Sequence, residues 1–147
     1  MATPKLSDSE LLAYMRSHTL AVVSTLGPGG APQAALVGIA VTDDFQIVFD
    51  TVATSRKHAN LGANPRAAMT LTGPGEQTLQ YEGLAAAVSI TAPADARWRE
   101  AYYAAWPDGR DRLAWPALVY WRLRPLWLRY SDFARGPLIV ERRFEAG

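Results

Sequence analysis

The sequence predicts a mainly β protein, an antiparallel β-barrel with a few short peripheral helices. Its apolar segments are short and rich in β-branched residues, as strands are. Several of them are joined by short turns containing Gly, Pro or Asp, which favours antiparallel neighbours. The helical patterns are appended to the strands, whereas regular alternation would indicate a parallel βαβ sheet. The 147 residues fit a single domain, 1–147, because this length is typical of one.

The first third of the chain predicts one helix and three strands. Ser7 and Glu10 form an S-x-x-E capping box, and apolar residues follow at helical spacing. We expect strands over residues 19–25, 33–41 and 45–50. The glycine-rich segment GPGGAP separates the first two strands, and an acidic turn at 42–44 separates the second and third. These segments predict two successive hairpins.

The remaining elements follow a short helix that begins at Ser55. That helix is expected to end near Asn64, because Pro65 cannot continue it. Gly83 lies inside the long strand expected at 78–90 and indicates a bulge or a sharp bend there. Pro125 is expected to separate the last two strands. The predicted elements are strands at 67–72, 78–90, 117–123 and 126–132, and a helix at 93–106.

Two adjacent cations at the start of the second helix are the strongest sign of function. Ser55 occupies the N-cap position, and Arg56 and Lys57 lie in the first turn. The N-terminal end of a helix carries about +0.5 charge and favours acidic residues by about 0.3–1 kcal/mol each. Cations at that end therefore suggest a bound anion, such as a phosphate. A solvated basic turn is the alternative, and the local pattern leaves both open.

Composition excludes several classes of site. There is no cysteine, so disulfides and thiolate catalysis are excluded, and the two histidines lack zinc-binding spacing. A net charge of +1 gives no general attraction to nucleic acid or to a membrane. The polar N-terminal segment is neither a signal peptide nor a membrane span. We therefore expect a cytoplasmic protein that acts on a small molecule.

The segment 49–68 contains the pattern FDT-x-x-x-SRK-x-x-N-L-x-x-NPR-x. With the alternating strand before it, this pattern resembles the pyridoxamine-phosphate-oxidase-like family of FMN-binding split barrels. The likeness extends from Leu11 to about Asp132. It implies a six-stranded split β-barrel that forms a homodimer, with FMN at the subunit interface. It also implies a flavin-dependent oxidoreductase that acts on a small organic substrate or a nicotinamide, although no catalytic residue stands out.

The resemblance implies nine cofactor-binding residues. Four of them would hold the phosphate and ribityl chain of FMN: Thr51, Ser55, Arg56 and Lys57. The backbone of the second strand would run beside the flavin ring at Ala35, Leu36 and Val37, with small neighbours at Ala34 and Gly38. Gln77 or Thr78 would supply a polar contact, and an ordinary strand end is the alternative for both. Trp121 or Trp127 of the partner chain could cover the flavin, although packing in the core or interface is the simpler interpretation.

Departures from the family pattern leave other functions open. Authentic pyridoxamine phosphate oxidases carry an arginine and a lysine in the region that corresponds to QAALVGIAV, which has neither. The alternatives are a deazaflavin-dependent reductase of the same fold and a non-catalytic protein that binds flavin or haem. His58 could approach the phosphate or a haem-like ligand, but a solvated helix position is the more common explanation of such a residue.

Overall fold

A computed structural model of the chain describes residues 5–145. It contains three α-helices: α1 (Asp8–Arg16), α2 (Arg56–Ala63) and α3 (Ala96–Ala105). Short 3₁₀ segments occur at Pro28–Gly30, Pro93–Asp95, Pro107–Ala114 and Phe133–Arg135. The seven strands are β1 (Leu20–Leu26), β2 (Pro32–Val41), β3 (Ile47–Val52), β4 (Arg66–Thr72), β5 (Gln77–Val88), β6 (Leu118–Asp132) and β7 (Leu138–Arg143).

The strands form one antiparallel sheet that closes on itself. Its order is β3-β2-β1-β4-β5-β6-β7, and β6 pairs back to β3, so the first six strands make a closed barrel. The C-terminal half of β6 pairs instead with β7, from Asp132 opposite Leu138 to Trp127 opposite Arg143. The predicted six-stranded barrel with few short helices is therefore confirmed. The sequence analysis did not predict β7, which adds a seventh strand beside the barrel.

Strand β6 corrects one prediction. Residues 118–132 form one continuous strand, where two strands separated at Pro125 were expected. Glu82 lies opposite Trp127 while Gly83 lies opposite Pro125, so β6 has one extra residue at this point. A bulge tolerates proline because the ladder of hydrogen bonds is already interrupted there. The bulge expected at Gly83 is thereby confirmed, and it accommodates Pro125.

Alternating side chains divide the apolar residues into two clusters. The larger one fills the barrel and includes Ile47 and Phe49 of β3 and Leu123 of β6. The smaller one lies on the outer face of the sheet, where α3 packs over Val48 and Tyr120. Fully burying a large apolar side chain contributes about 1.5–3 kcal/mol, so both clusters hold the barrel and α3 in place.

The helices at the two ends of the barrel begin with capped N-termini. Ser7 and Glu10 form the expected capping box at α1, which buries Leu11 and Met15. Helix α2 begins after Ser55 and buries Asn60 and Leu61. Within residues 5–145, none of the helices has the length and apolar character that a membrane crossing requires.

Candidate functional site

The N-terminus of α2 presents hydroxyl and cationic groups together. Ser55 is the N-cap residue, and its Oγ accepts a hydrogen bond from the backbone N–H of His58 at 3.3 Å. The Thr51 hydroxyl, at the end of β3, donates to the same Oγ at 3.1 Å. No acidic residue lies in the first turn of α2, which begins with Arg56 and Lys57. We call Thr51, Ser55, Arg56 and Lys57 the phosphate cradle, after the ligand that the sequence predicts for them.

A cavity of about 250 Å³ opens beside the cradle. It lies where the end of β1 and the start of β2 meet the first turn of α2. Arg56 and Lys57 line it, and within residues 5–145 neither forms an ion pair with a carboxylate. The other lining residues are Val23, Thr25, Gln33, Ala34 and Ala35. The cavity therefore combines small apolar walls with two cations and two neutral polar side chains.

A buried amide connects two of these polar residues. Nδ2 of Asn60, on α2, donates to Oγ1 of Thr25 at 3.0 Å and to Oε1 of Gln33 at 2.8 Å. None of these three residues was predicted from the sequence to belong to a site. The available signal was a polar residue beside Leu61 on the side of α2 that faces the barrel, since such a residue needs a buried hydrogen-bond partner.

The predicted ring-binding residues of β2 face in different directions. Ala35 lines the cavity, and Val37 is buried in the barrel core. Leu36 points to the outer face of the sheet, where its side chain is 63% exposed. Gly38 leaves no room for a ligand over its Cα, because a Cβ there would lie 2.6 Å from Cζ2 of Trp106. The structure thus brings Ala35 to the cradle and assigns Gly38 to packing.

Gln77 and Thr78 lie far from the cradle of the same protomer. Thr25 lies opposite Ala67, and Ala67 lies opposite Gly83. Gln77 is six residues before Gly83 along β5, which corresponds to about 20 Å at 3.3–3.4 Å per residue. Both side chains have partners at that end: Oε1 of Gln77 accepts from the Tyr130 hydroxyl, and the Thr78 hydroxyl donates to a backbone carbonyl. One protomer therefore does not unite all nine predicted residues.

The indole of Trp121 is engaged within its own protomer. Its side chain lies in the barrel core, as the packing interpretation expected, and its Nε1 donates to Nδ1 of His58 at 3.0 Å. Because an indole N–H only donates, Nδ1 of His58 must accept, and the ring proton of the neutral imidazole resides on Nε2. Trp127 lies further along β6, opposite Glu82 of β5 and Arg143 of β7.

A second polar group lies under α3 on the outer face of the sheet. Arg112 donates from Nε to Asp50 at 2.8 Å and from Nη2 to the Tyr102 hydroxyl at 3.0 Å. We call Tyr102, Tyr103, Trp106, Arg112 and Tyr120 the aromatic cluster. Burial raises the pKa of Tyr102 and Tyr120 above the ordinary tyrosine value, and the nearby Asp50 carboxylate adds to the increase for both. Every charged group here has a protein partner.

No group of three or more His, Cys, Asp and Glu side chains that could hold a metal ion occurs in the described part of the chain. The chemistry of the site therefore comes from hydroxyls, amides and cations. Such groups donate hydrogen bonds and neutralise negative charge, which suits an anionic ligand.

Comparisons with known proteins agree with this geometry. The sequence model of the family described as pyridoxamine 5'-phosphate oxidase matches residues 7–132. No curated protein sequence matches the chain.

Several solved structures share the fold. A haem-binding protein from Mycobacterium smegmatis has a TM-score of 0.79 and 18% identity over 96% of this chain, which spans 60% of that protein. HutZ, the haem storage protein from Vibrio cholerae, has a TM-score of 0.69 and 13% identity over 80% of this chain and 88% of its own. A pyridoxamine 5'-phosphate oxidase-related, FMN-binding protein from Nostoc punctiforme has a TM-score of 0.66 and 14% identity, with 93% and 94% covered. At these identities the likeness concerns the fold alone.

Proposed function

The chain belongs to the pyridoxamine 5'-phosphate oxidase family, and from this premise we propose that it is a homodimeric FMN-binding flavoprotein. Its proposed activity is the flavin-dependent oxidation or reduction of a small organic molecule or a nicotinamide. The observation that carries the proposal is the phosphate cradle. There two hydroxyls and two cations, which have no carboxylate partner among residues 5–145, meet a helix N-terminus beside a cavity.

The donor set of the cradle fits a phosphate ester. Hydrogen bonds to charged groups contribute about 1.5–3 kcal/mol each, and a helix N-terminus adds a favourable field for an anion. Arg56 and Lys57 would neutralise the phosphate and the Ser55 hydroxyl would donate to its oxygens, while Thr51, whose hydroxyl donates to Ser55 Oγ, would hold that hydroxyl in place. Ala34 and Ala35 have small side chains, which suits close approach of a flat ring to the backbone of β2.

Bound FMN would supply hydride transfer, which the protein side chains here cannot perform themselves. The residues of this chain would bind the phosphate tail, neutralise its charge and fix the position of the ring. This division of roles agrees with the absence of an obvious acid–base pair at the cradle within residues 5–145.

Dimerisation is proposed through the outer face of β1 and β2. Leu20, Val22 and Leu36 are exposed there, and Val22 lies directly opposite Leu36. Exposed apolar patches of this kind mark interaction surfaces. A partner seated on this face could also bring its Gln77 and Thr78 toward the cradle, which one protomer alone does not do.

Light scattering at micromolar concentration tests the dimer and should give twice the chain mass. Replacing Leu36 with Glu should give the monomer mass. A wild-type monomer would contradict the proposed interface.

The imidazole groups favour FMN over haem. Haem iron takes a ligand lone pair, such as that of a histidine nitrogen. Nδ1 of His58 already accepts from Trp121, so the neutral ring carries its proton on Nε2. In His18, Nδ1 faces the carbonyl oxygen of Tyr14 at 2.9 Å and Nε2 faces that of Thr72 at 2.9 Å. The Nδ1 lone pair of His58 is thus engaged by Trp121, and both nitrogens of His18 lie against carbonyl oxygens, whereas a phosphate requires only the donors that the cradle presents.

An absorption spectrum of freshly purified protein, with mass identification of the released molecule, tests the proposal. Bound FMN gives two bands and a yellow colour, whereas a deazaflavin gives a single band at shorter wavelength. Mixing the flavin-loaded protein with reduced nicotinamides under air then tests turnover. A haem spectrum, or a protein that is colourless and takes up no added FMN, would overturn the proposal.

A further inference from the structure

We propose that Asn60 donates to the side-chain oxygens of Thr25 and Gln33 and thereby leaves their hydrogens to act as two further donors to the phosphate of the ligand. The inference rests on the proposed function and extends the cradle to β1 and β2. It assigns to Thr25 and Gln33 a direct role in recognising a phosphate ester, and to Asn60 a positioning role.

The direction of each hydrogen bond follows from the chemistry of its groups. An amide nitrogen only donates, so Nδ2 of Asn60 donates to Thr25 and Gln33, and their oxygens accept. Because the Gln33 oxygen is directed at Asn60, its Nε2 group is directed away from Asn60 and can donate elsewhere. Because the Thr25 oxygen accepts from Asn60, its hydroxyl hydrogen is also available. Asn60 thereby turns both side chains into donors.

These donors have no acceptor within the protein. Thr25 is buried, with a relative exposure of 4%. Among residues 5–145, no group accepts the hydrogen of its hydroxyl. A buried donor without an acceptor is destabilising, so such groups are normally satisfied. Nε2 of Gln33 likewise has no acceptor among the described residues. Both residues line the cavity of the cradle.

The loop between β1 and β2 leaves room for the Gln33 amide. Nε2 lies 2.6 Å from the position that a Cβ on Gly27 would occupy. Gly27 has φ −81° and ψ −174°, which any residue adopts, so the backbone does not require glycine there. The absent side chain instead makes space for the amide.

The combined lining specifies the chemistry of the ligand. Arg56 and Lys57 of α2 supply charge, and Thr25 of β1 and Gln33 of β2 would supply neutral donors. Within this cavity every polar group that faces the ligand would donate or carry positive charge. An oxygen-rich anion such as a phosphate monoester accepts from all of them, whereas a neutral hydroxyl does so less well.

Replacing Asn60 with Asp tests the inference. The carboxylate of Asp only accepts, so it takes the hydrogens of Thr25 and Gln33 away from the cavity. We expect the Kd for FMN, measured by flavin fluorescence, to rise at least tenfold. The Kd for riboflavin, which has the same ring but no phosphate, should change less than twofold.

Two uncharged variants separate this effect from the added negative charge and from misfolding. Gln33→Met keeps the length of the side chain and removes its N–H groups, and Gly27→Ala displaces the Gln33 amide. Each should raise the Kd for FMN about fivefold while leaving that for riboflavin unchanged. Gln80→Met, on the exposed face of β5, is the matched control and should change neither Kd.

The outcomes are distinct. If the wild-type protein binds no FMN, the proposed function fails. If it binds FMN and neither Asn60→Asp nor Gln33→Met changes the Kd, the positioning role proposed for Asn60 is wrong. An equal loss of affinity for FMN and riboflavin would overturn the assignment of these donors to the phosphate.

Discussion

The phosphate cradle and the aromatic cluster are built from similar groups but use them in opposite ways. In the aromatic cluster, Arg112 is paired with Asp50 and with the Tyr102 hydroxyl, and its side chain is only 17% exposed. In the cradle, Arg56 and Lys57 lie beside a cavity and, within residues 5–145, have no carboxylate partner. The two sites lie at neighbouring positions of β3, since Asp50 precedes Thr51 and points to the opposite face.

This difference separates a structural use of arginine from a ligand-binding use. A charge paired inside the protein stabilises the packing around it, and removing one partner leaves the other buried without compensation. A charge beside a cavity, with a helix N-terminus behind it and no carboxylate partner, is free to pair with an anion. Substitutions in the cluster should therefore change stability, and substitutions in the cradle should change ligand affinity.

The largest expected effect is that of replacing Arg56 and Lys57 together with Ala. The FMN affinity should fall by about 3–6 kcal/mol, because two charge-assisted hydrogen bonds of about 1.5–3 kcal/mol each are lost. That corresponds to roughly a 10²–10⁴-fold higher Kd in a fluorescence titration. Arg110→Ala, which breaks an exposed ion pair with Glu100, is the control and should leave the Kd unchanged. An unaltered Kd in the double variant would remove the cradle from the binding site.

Replacing Arg112 with Met should have the next largest effect. It should lower the stability of the fold and leave ligand affinity unchanged. The free energy of unfolding in urea should fall by about 2–3 kcal/mol, because Asp50 and the Tyr102 hydroxyl lose their partner. This loss is somewhat smaller than the loss caused by removing one partner of a fully buried ion pair. The Kd for FMN should stay within twofold. Asp108→Asn is a suitable control, since this carboxylate is exposed and lies 3.4 Å from Arg112. A strong loss of FMN affinity without loss of stability would reverse the roles of the two sites.

Ser55→Ala should affect both quantities, because Ser55 is at once a helix cap and a proposed phosphate ligand. Loss of an N-cap hydroxyl lowers stability by about 0.5–2 kcal/mol. The FMN affinity should fall roughly tenfold from the loss of one donor, about 1.5 kcal/mol. Ser55→Thr, which keeps the hydroxyl, should restore both. A variant that loses stability but binds FMN normally would restrict Ser55 to capping.

The smallest effect expected is a loss of stability in alkaline solution that originates in the aromatic cluster. Burial raises the pKa of Tyr102 and Tyr120, so the folded protein holds these phenols protonated more firmly than the unfolded chain does. Their contribution is complete below the ordinary tyrosine pKa of 10.0 and is lost as the pH rises above it. On α1, burial likewise raises the pKa of Tyr14 to about 12, so its share is lost between pH 10 and 12.

Urea unfolding at pH 9, 10 and 11, with tyrosinate absorbance recorded in parallel, measures this effect. Tyr120→Phe should make the dependence on pH shallower by removing one of these phenols. A stability that stays constant up to pH 11 would contradict the account of the cluster.

Local patterns were sufficient to predict much of the fold. The capping box at Ser7, the start of α2 after Ser55 and the bulge at Gly83 follow from residues close in sequence, and the structure contains each of them. Pro125 shows the limit of this reasoning. Its effect depends on pairing with β5, more than forty residues away, so the sequence alone indicated a strand break where a bulge lets β6 continue.

The site was predictable only where it is contiguous. The cradle lies within seven residues of the sequence, so its pattern of charges and hydroxyls was visible there. The Asn60 bonds to Thr25 and Gln33 span 35 and 27 residues, and no periodicity of the sequence indicates them. Gln77 and Thr78 match the family pattern but lie at the other end of the barrel within one protomer, so their part in the site stays a prediction about the dimer.

A crystal structure of the protein with FMN tests the central claim most directly. The account predicts the phosphate at the N-terminus of α2, within hydrogen-bond distance of Ser55 Oγ and of the Arg56 and Lys57 side chains. It also predicts that the Thr25 hydroxyl and the Gln33 amide face the same phosphate. A structure in which FMN is bound elsewhere, with Arg56 and Lys57 directed into solvent, would contradict the account.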